Sequence, residues 1–203
     1  MRRPVAVKLF DPLQANDYSI ARFEREVQLT CTLTHPSTIA LYDYGRTPEG
    51  LFYYAMEYLD GLALDKLVEK YGRQPEGRVI HILRQVCGSL AEAHAQGLVH
   101  RDFKPANIFL TRRGGIPDFV KVLDFRLVKA RKLEGQMELT AASTTLGTPL
   151  YMSPEAVRRH EGVEARSDLY SLGSVGYYLL SGETVFAGLS LGEVLLQQVS
   201  TLS

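Results

Sequence analysis

The sequence predicts an α+β chain, with a small, mostly antiparallel sheet and one helix in its first part and a mainly helical second part. Three observations lead there. Runs rich in β-branched and aromatic residues at 4–10, 38–44 and 51–58 are separated by a turn signal or by one helix-period stretch. After Asp60-Gly61 the apolar spacing becomes helical, most clearly over 76–96. The length, 203 residues of which 45% are hydrophobic, allows one large domain or two small lobes with a stable core.

The elements follow in order. Pro4-Val5-Ala6-Val7-Lys8-Leu9-Phe10 has strand composition. Residues 18–33 have helical spacing, with Ile20, Phe23, Val27 and Thr30 near one face, and His35-Pro36 ends the run. Two strands at 38–44 and 51–58 meet at a turn around Pro48-Glu49-Gly50. Over 76–96, Val79, Leu83, Val86, Leu90 and Ala93 share a helical face, and Gly97 is the stop signal. Short strands at 107–111 and 119–123 are joined through Gly114-Gly115. Residues 124–152 form a long stretch rich in serine and threonine, and a loop of that length in a compact domain is usually functional. Helices are expected at 153–159, 167–181 and 190–199. The boundary between the parts falls near 58–61, giving units of 1–59 and 60–203.

Charge is balanced, with 23 basic and 23 acidic side chains, which gives no electrostatic case for nucleic acid or an acidic membrane surface. Cys31 and Cys87 fit no metal spacing and are expected as buried, reduced thiols in a reducing compartment. The most apolar stretch, Leu169 to Leu180, is short and broken by serine and glycine, so no membrane span is expected. Met1-Arg2-Arg3-Pro4 has charge but no apolar core behind it, unlike a signal peptide. A cytoplasmic placement is expected.

The chemistry concentrates in His100-Arg101-Asp102-Phe103-Lys104-Pro105-Ala106-Asn107. Pro105 resists helix continuation, so the run reads as a loop. It brings together a carboxylate, an ammonium and a carboxamide (Asp102, Lys104 and Asn107), a set suited to phosphate and a divalent metal. A loop held together by its own polar groups is the plainer alternative. Asp124 leaves the apolar strand Phe119-Val120-Lys121-Val122-Leu123, where a carboxylate is well placed for a hard cation.

The HRD-x-K-P-x-N spacing resembles the catalytic loop of eukaryotic-like serine/threonine protein kinases of the bacterial type, and the resemblance covers nearly all of 4–199. It implies a bilobal kinase-like fold with a small sheet-based N-lobe and a helical C-lobe, both incomplete. Asp102 would accept or orient the proton of the substrate hydroxyl, and Lys104 would neutralise charge on the transferring phosphoryl group. Asn107 and Asp124 would hold Mg²⁺. Lys8, in Val5-Ala6-Val7-Lys8, would contact the α- and β-phosphates of ATP, held by an ion pair with Glu26. Met56-Glu57-Tyr58-Leu59 resembles the link between lobes. Backbone groups of Glu57 and Leu59 would meet the adenine edge, Met56 would border the pocket, and Ala6 and Phe109 would sandwich the ring. Asp168 would hold the backbone of the catalytic loop. Gly147 to Glu155 resembles the end of an activation segment, and Lys104 with Thr148 resembles the serine/threonine branch. Among the hydroxyls Thr140, Ser143, Thr144 and Thr145, one is expected to be phosphorylated and ordered by Arg101.

The chain departs from the family pattern in three places. Arg126 stands where the family has glycine. No G-x-G-x-x-G precedes the Lys8 strand, so a sheet of about three strands with exposed apolar faces is expected, and with it weak ATP binding. The chain stops after the helix near Ser190, which leaves Glu155 without the family's arginine partner. The leading reading is a protein serine/threonine kinase that moves the γ-phosphoryl of Mg-ATP to a protein hydroxyl. The alternative is a pseudokinase or inactive kinase fragment serving as a binding or scaffold module.

Overall fold

A computed structural model describes residues 4–10, 27–48, 50–125, 149–158 and 163–200. Several expectations fall outside the described residues: the first part of the 18–33 helix with Ile20, Phe23 and Glu26, then Arg126, and Thr140, Ser143, Thr144, Thr145, Gly147 and Thr148.

Strands β1 (Val5–Phe10), β2 (Leu41–Arg46) and β3 (Phe52–Glu57) form an antiparallel sheet in the order β1-β3-β2. Residues directly opposite each other share a face of a sheet. Ala6 lies opposite Met56 and Lys8 opposite Tyr54, which puts these four together. The other face of β1 carries Val5, Val7 and Leu9, all exposed. Residues 27–31 are helical, and Val27 packs with Tyr54, Leu41, Tyr44 and Met56 into a small core.

The strand expected from residue 38 starts at Leu41 instead. Residues 37–39 pair across to the second part: Ile39 N donates to Val122 O (3.0 Å) and Val122 N to Ser37 O (2.7 Å). The apolar character of this stretch serves that junction rather than a longer β2.

The second part is built around α2 (Glu76–Ala95), which buries Val79, Ile82, Val86, Leu90 and Ala93. Ile82 replaces Leu83 at the centre of the stripe, and Leu83 packs at its margin. Against this helix lie α1 (Leu64–Tyr71), α4 (Ala165–Ser181) and a sheet of β4 (Gly61–Ala63), β5 (Ile108–Arg113) and β6 (Ile116–Val122) in that order. Two further helices, α3 (Pro154–Val157) and α5 (Leu191–Ser200), follow among the described residues. Strands β5 and β6 run further than the sequence suggests because Gly114 and Gly115, at φ 57° and 83°, close a two-residue hairpin that lets pairing continue to Arg113 and Ile116.

Elements β4 and α1 were not legible one by one. Strand β4 is three residues long, and a Cβ on Gly61 would sit 2.0 Å from Leu110 O, so the close pairing with β5 requires glycine there. Helix α1 has only two turns before Gly72, at φ 70°, ends it.

The cysteine expectation is corrected: both thiols are free and exposed. Cys87 lies about 100° round α2 from buried Val86, and Cys31 closes the 27–31 turn where the chain leaves the core. Among the described residues no helix is long and apolar enough to cross a membrane.

Candidate active site

Helix α4 begins the site. Asp168, in its first turn and 1% exposed, accepts from His100 N (2.8 Å) and Arg101 N (2.9 Å) and pairs with His94 Nε2 (2.7 Å). The carboxylate thus fixes the main chain entering the loop, where Arg101 has φ 61°. A second anchor comes just after β6, where the buried His100 ring bonds Leu123 O through Nε2 at 2.8 Å and packs on Phe103 and Phe125. The loop then reaches Pro105–Asn107, a single 3₁₀ turn with proline at its start, as a missing N–H allows.

Within this frame Lys104 Nζ lies 3.1 Å from Asp102 Oδ2. Asn107 Nδ2 donates to Asp102 O (2.8 Å), which fixes the amide with its nitrogen turned to the loop's own main chain. Asn107 O accepts from Leu123 N (2.8 Å), so the loop is tied to the residue immediately before Asp124.

Asp124 has φ 54°. Its Oδ2 accepts from Lys8 Nζ (2.6 Å) and its Oδ1 from Tyr54 OH (2.7 Å). Burial alone would raise this carboxyl's pKa, but the Lys8 charge and the hydrogen bonds from Lys8 and Tyr54 outweigh it and hold the group below the usual aspartate range. Burial and the Asp124 charge push the Tyr54 phenol far up, so it remains a donor.

The expected site residues therefore fall into two linked groups. Asp102, Lys104 and Asn107 share one loop, and Lys8 and Asp124 form an ion pair across the two sheets. The expected partner of Lys8, Glu26, is outside the described residues; the ion partner among those described is Asp124. Ala6 and Met56 pair within the first sheet, and Phe109 lies on β5 opposite Ala63 and Lys121. Glu57 N donates to Ala40 O (3.0 Å). Leu59 follows β3 in the link.

Sequence reasoning missed three residues. Lys121 is buried on β6, 2.5 Å from Glu57 Oε1 and donating to Thr38 O (3.0 Å). A lysine amid the apolar neighbours Phe119, Val120, Val122 and Leu123 was the available signal. Tyr54 reads as ordinary strand core until register puts it opposite Lys8. His94 reads as a helix-end residue until Asp168 is seen beside it. Glu155, expected to lack the family's arginine partner, accepts from Ser167 Oγ at its Oε1 (2.5 Å). Burial would raise the Glu155 pKa, but hydrogen bonds led by the one from Ser167 bring it below the usual range.

Asp124 and Asn107 offer a carboxylate and an amide oxygen. This hard donor set fits Mg²⁺, which binds one or two carboxylates and takes its other ligands from phosphate and water. Among the described residues no group of three His, Cys, Asp or Glu forms an all-protein metal cage.

The model of the protein kinase domain matches residues 1–202. The chain belongs to the protein kinase family. Serine/threonine-protein kinase pkn3 of Myxococcus xanthus is 40% identical over 171 residues, covering 84% of this chain and 31% of that protein. Serine/threonine-protein kinase PknB of Mycolicibacterium smegmatis is 41% identical over 203 residues, covering 98% of this chain and 32% of that protein. The chain thus spans about a third of the length of these relatives. The crystal structure of the Mycobacterium tuberculosis PknI kinase domain superposes with a TM-score of 0.68 at 29% identity, covering 88% of this chain and 64% of that one. The sheet-based N-lobe and helical C-lobe are the kinase α+β fold.

Proposed function

We propose that the chain is the catalytic domain of a cytoplasmic protein serine/threonine kinase, with 1–59 as small lobe and 60–203 as large lobe, and that it transfers the γ-phosphoryl of Mg-ATP to a protein hydroxyl. The observation that carries this reading is the link between the two groups: Asn107 O to Leu123 N, beside Asp124, joins the Asp102–Lys104–Asn107 loop to the Lys8–Asp124 pair.

Asp102 accepts the hydrogen bond of the incoming hydroxyl and takes its proton as the new P–O bond forms and the γ-phosphorus separates from the bridging oxygen, which leaves on ADP. Lys104, already 3.1 Å from Asp102, places positive charge where negative charge gathers on the phosphoryl oxygens. Asn107 and Asp124 would hold the metal ion, which would supply positive charge to the phosphates when bound. Lys8 serves the α- and β-phosphates, with Glu26 as its holder. The Glu57 carbonyl and Leu59 backbone meet the adenine edge, with Met56, Ala6 and Phe109 around the ring.

Incubation of the full gene product with γ-labelled ATP and a protein acceptor tests this. Phosphoserine or phosphothreonine in the acid hydrolysate supports the reading. Nucleotide binding without transfer supports the non-catalytic alternative.

A further inference from the structure

Tyr54 is 0% exposed at the centre of the first sheet, packed with Val27, Leu41, Tyr44 and Met56. Phenylalanine would fill that space equally well, so the hydroxyl is what requires explanation. A buried hydroxyl needs a partner, and this one reaches 70 residues along the chain to Asp124 Oδ1 at 2.7 Å. The bond crosses from the small sheet to the second residue after β6, and it grips a carboxylate whose backbone is left-handed at φ 54°.

We propose that Tyr54 is a positioning residue for the cation: its hydroxyl fixes the plane of the Asp124 carboxylate so that the remaining lone pairs face the metal. The inference rests on the kinase reading above and adds a residue to it. An ionised carboxylate has about four acceptor sites. The Tyr54 and Lys8 bonds use one on each oxygen, which leaves one on each for a cation and holds the group against rotation. Lys8 alone cannot do this, because an ammonium on a flexible stem moves with the carboxylate. A phenol anchored in a β-strand core does not.

The test compares the full chain with Tyr54→Phe, Asp124→Asn and the double variant. ATP affinity is measured by calorimetry in Mg²⁺ and again in EDTA. The phenylalanine keeps the ring and its packing, so the variant folds. Tyr54→Phe is expected to weaken ATP binding in Mg²⁺ by about tenfold, the scale of one hydrogen bond to a charged group. Binding in EDTA should stay within about twofold. In the Asp124→Asn background the same substitution adds nothing, because the group it positions is gone. An unchanged or tighter Mg²⁺-dependent affinity in Tyr54→Phe overturns the proposal, as does an equal loss in Mg²⁺ and EDTA. If the parent chain shows no Mg²⁺-dependent ATP binding, the kinase reading fails and this inference falls with it.

Discussion

Asp168→Ala removes the anchor on which the loop depends. The carboxylate takes three donors at once, His100 N, Arg101 N and His94 Nε2, at 2.7–2.9 Å, in a site 1% exposed. Alanine leaves two main-chain N–H groups without their acceptor in or beside the core, at about 1–3 kcal/mol each. Release of Arg101 from its left-handed φ of 61° returns on the order of 1 kcal/mol. At the middle of these ranges the net loss is about 3 kcal/mol. With a urea m-value of about 2–3 kcal/mol/M, the denaturation midpoint falls by about 1–2 M. Asp168→Asn keeps one accepting oxygen and should lose about half as much. Circular dichroism in urea measures both. An alanine variant whose midpoint stays within about 0.2 M of the parent would refute the claim that this carboxylate carries the loop.

Two further outcomes test other parts of the site. Lys121→Met leaves the Glu57 carboxylate without its cation and should cost about 3–5 kcal/mol in urea denaturation, with Lys121→Met/Glu57→Gln recovering most of the loss. Asp124 titrates below its unfolded value because Lys8 and Tyr54 outweigh burial, so its contribution to stability is complete above the unfolded aspartate pKa of about 3.9 and is lost as pH falls through the lower folded value. Stability measured from neutral pH downward should therefore fall less steeply in Asp124→Asn than in the parent over that acidic range, and parallel curves would contradict the assignment.

Much of the site was legible because local sequence carries it. The loop from His100 to Asn107 holds its groups within a few residues, and their contacts, Asp102 to Lys104 and Asn107 to Asp102, are local too. The α2 stripe was legible because its period persists over five turns. What escaped depends on the third dimension. Tyr54 meets Asp124 only through strand register and the approach of the two sheets, and Lys121 meets Glu57 the same way. Residues 37–39 have strand composition but pair with β6, a choice that propensity does not encode. Cys31 and Cys87 were misjudged because residue type predicts burial only on average, whereas their place on the helix put them outward.

The most direct test of the kinase reading is single-turnover transfer of labelled γ-phosphate to a protein acceptor, comparing the parent chain with Asp102→Asn. The account predicts that transfer to serine or threonine slows by about 10²–10⁴-fold, while affinity for Mg-ATP stays within about twofold. Transfer at the parental rate, or a loss of ATP affinity that matches the loss of rate, would contradict it.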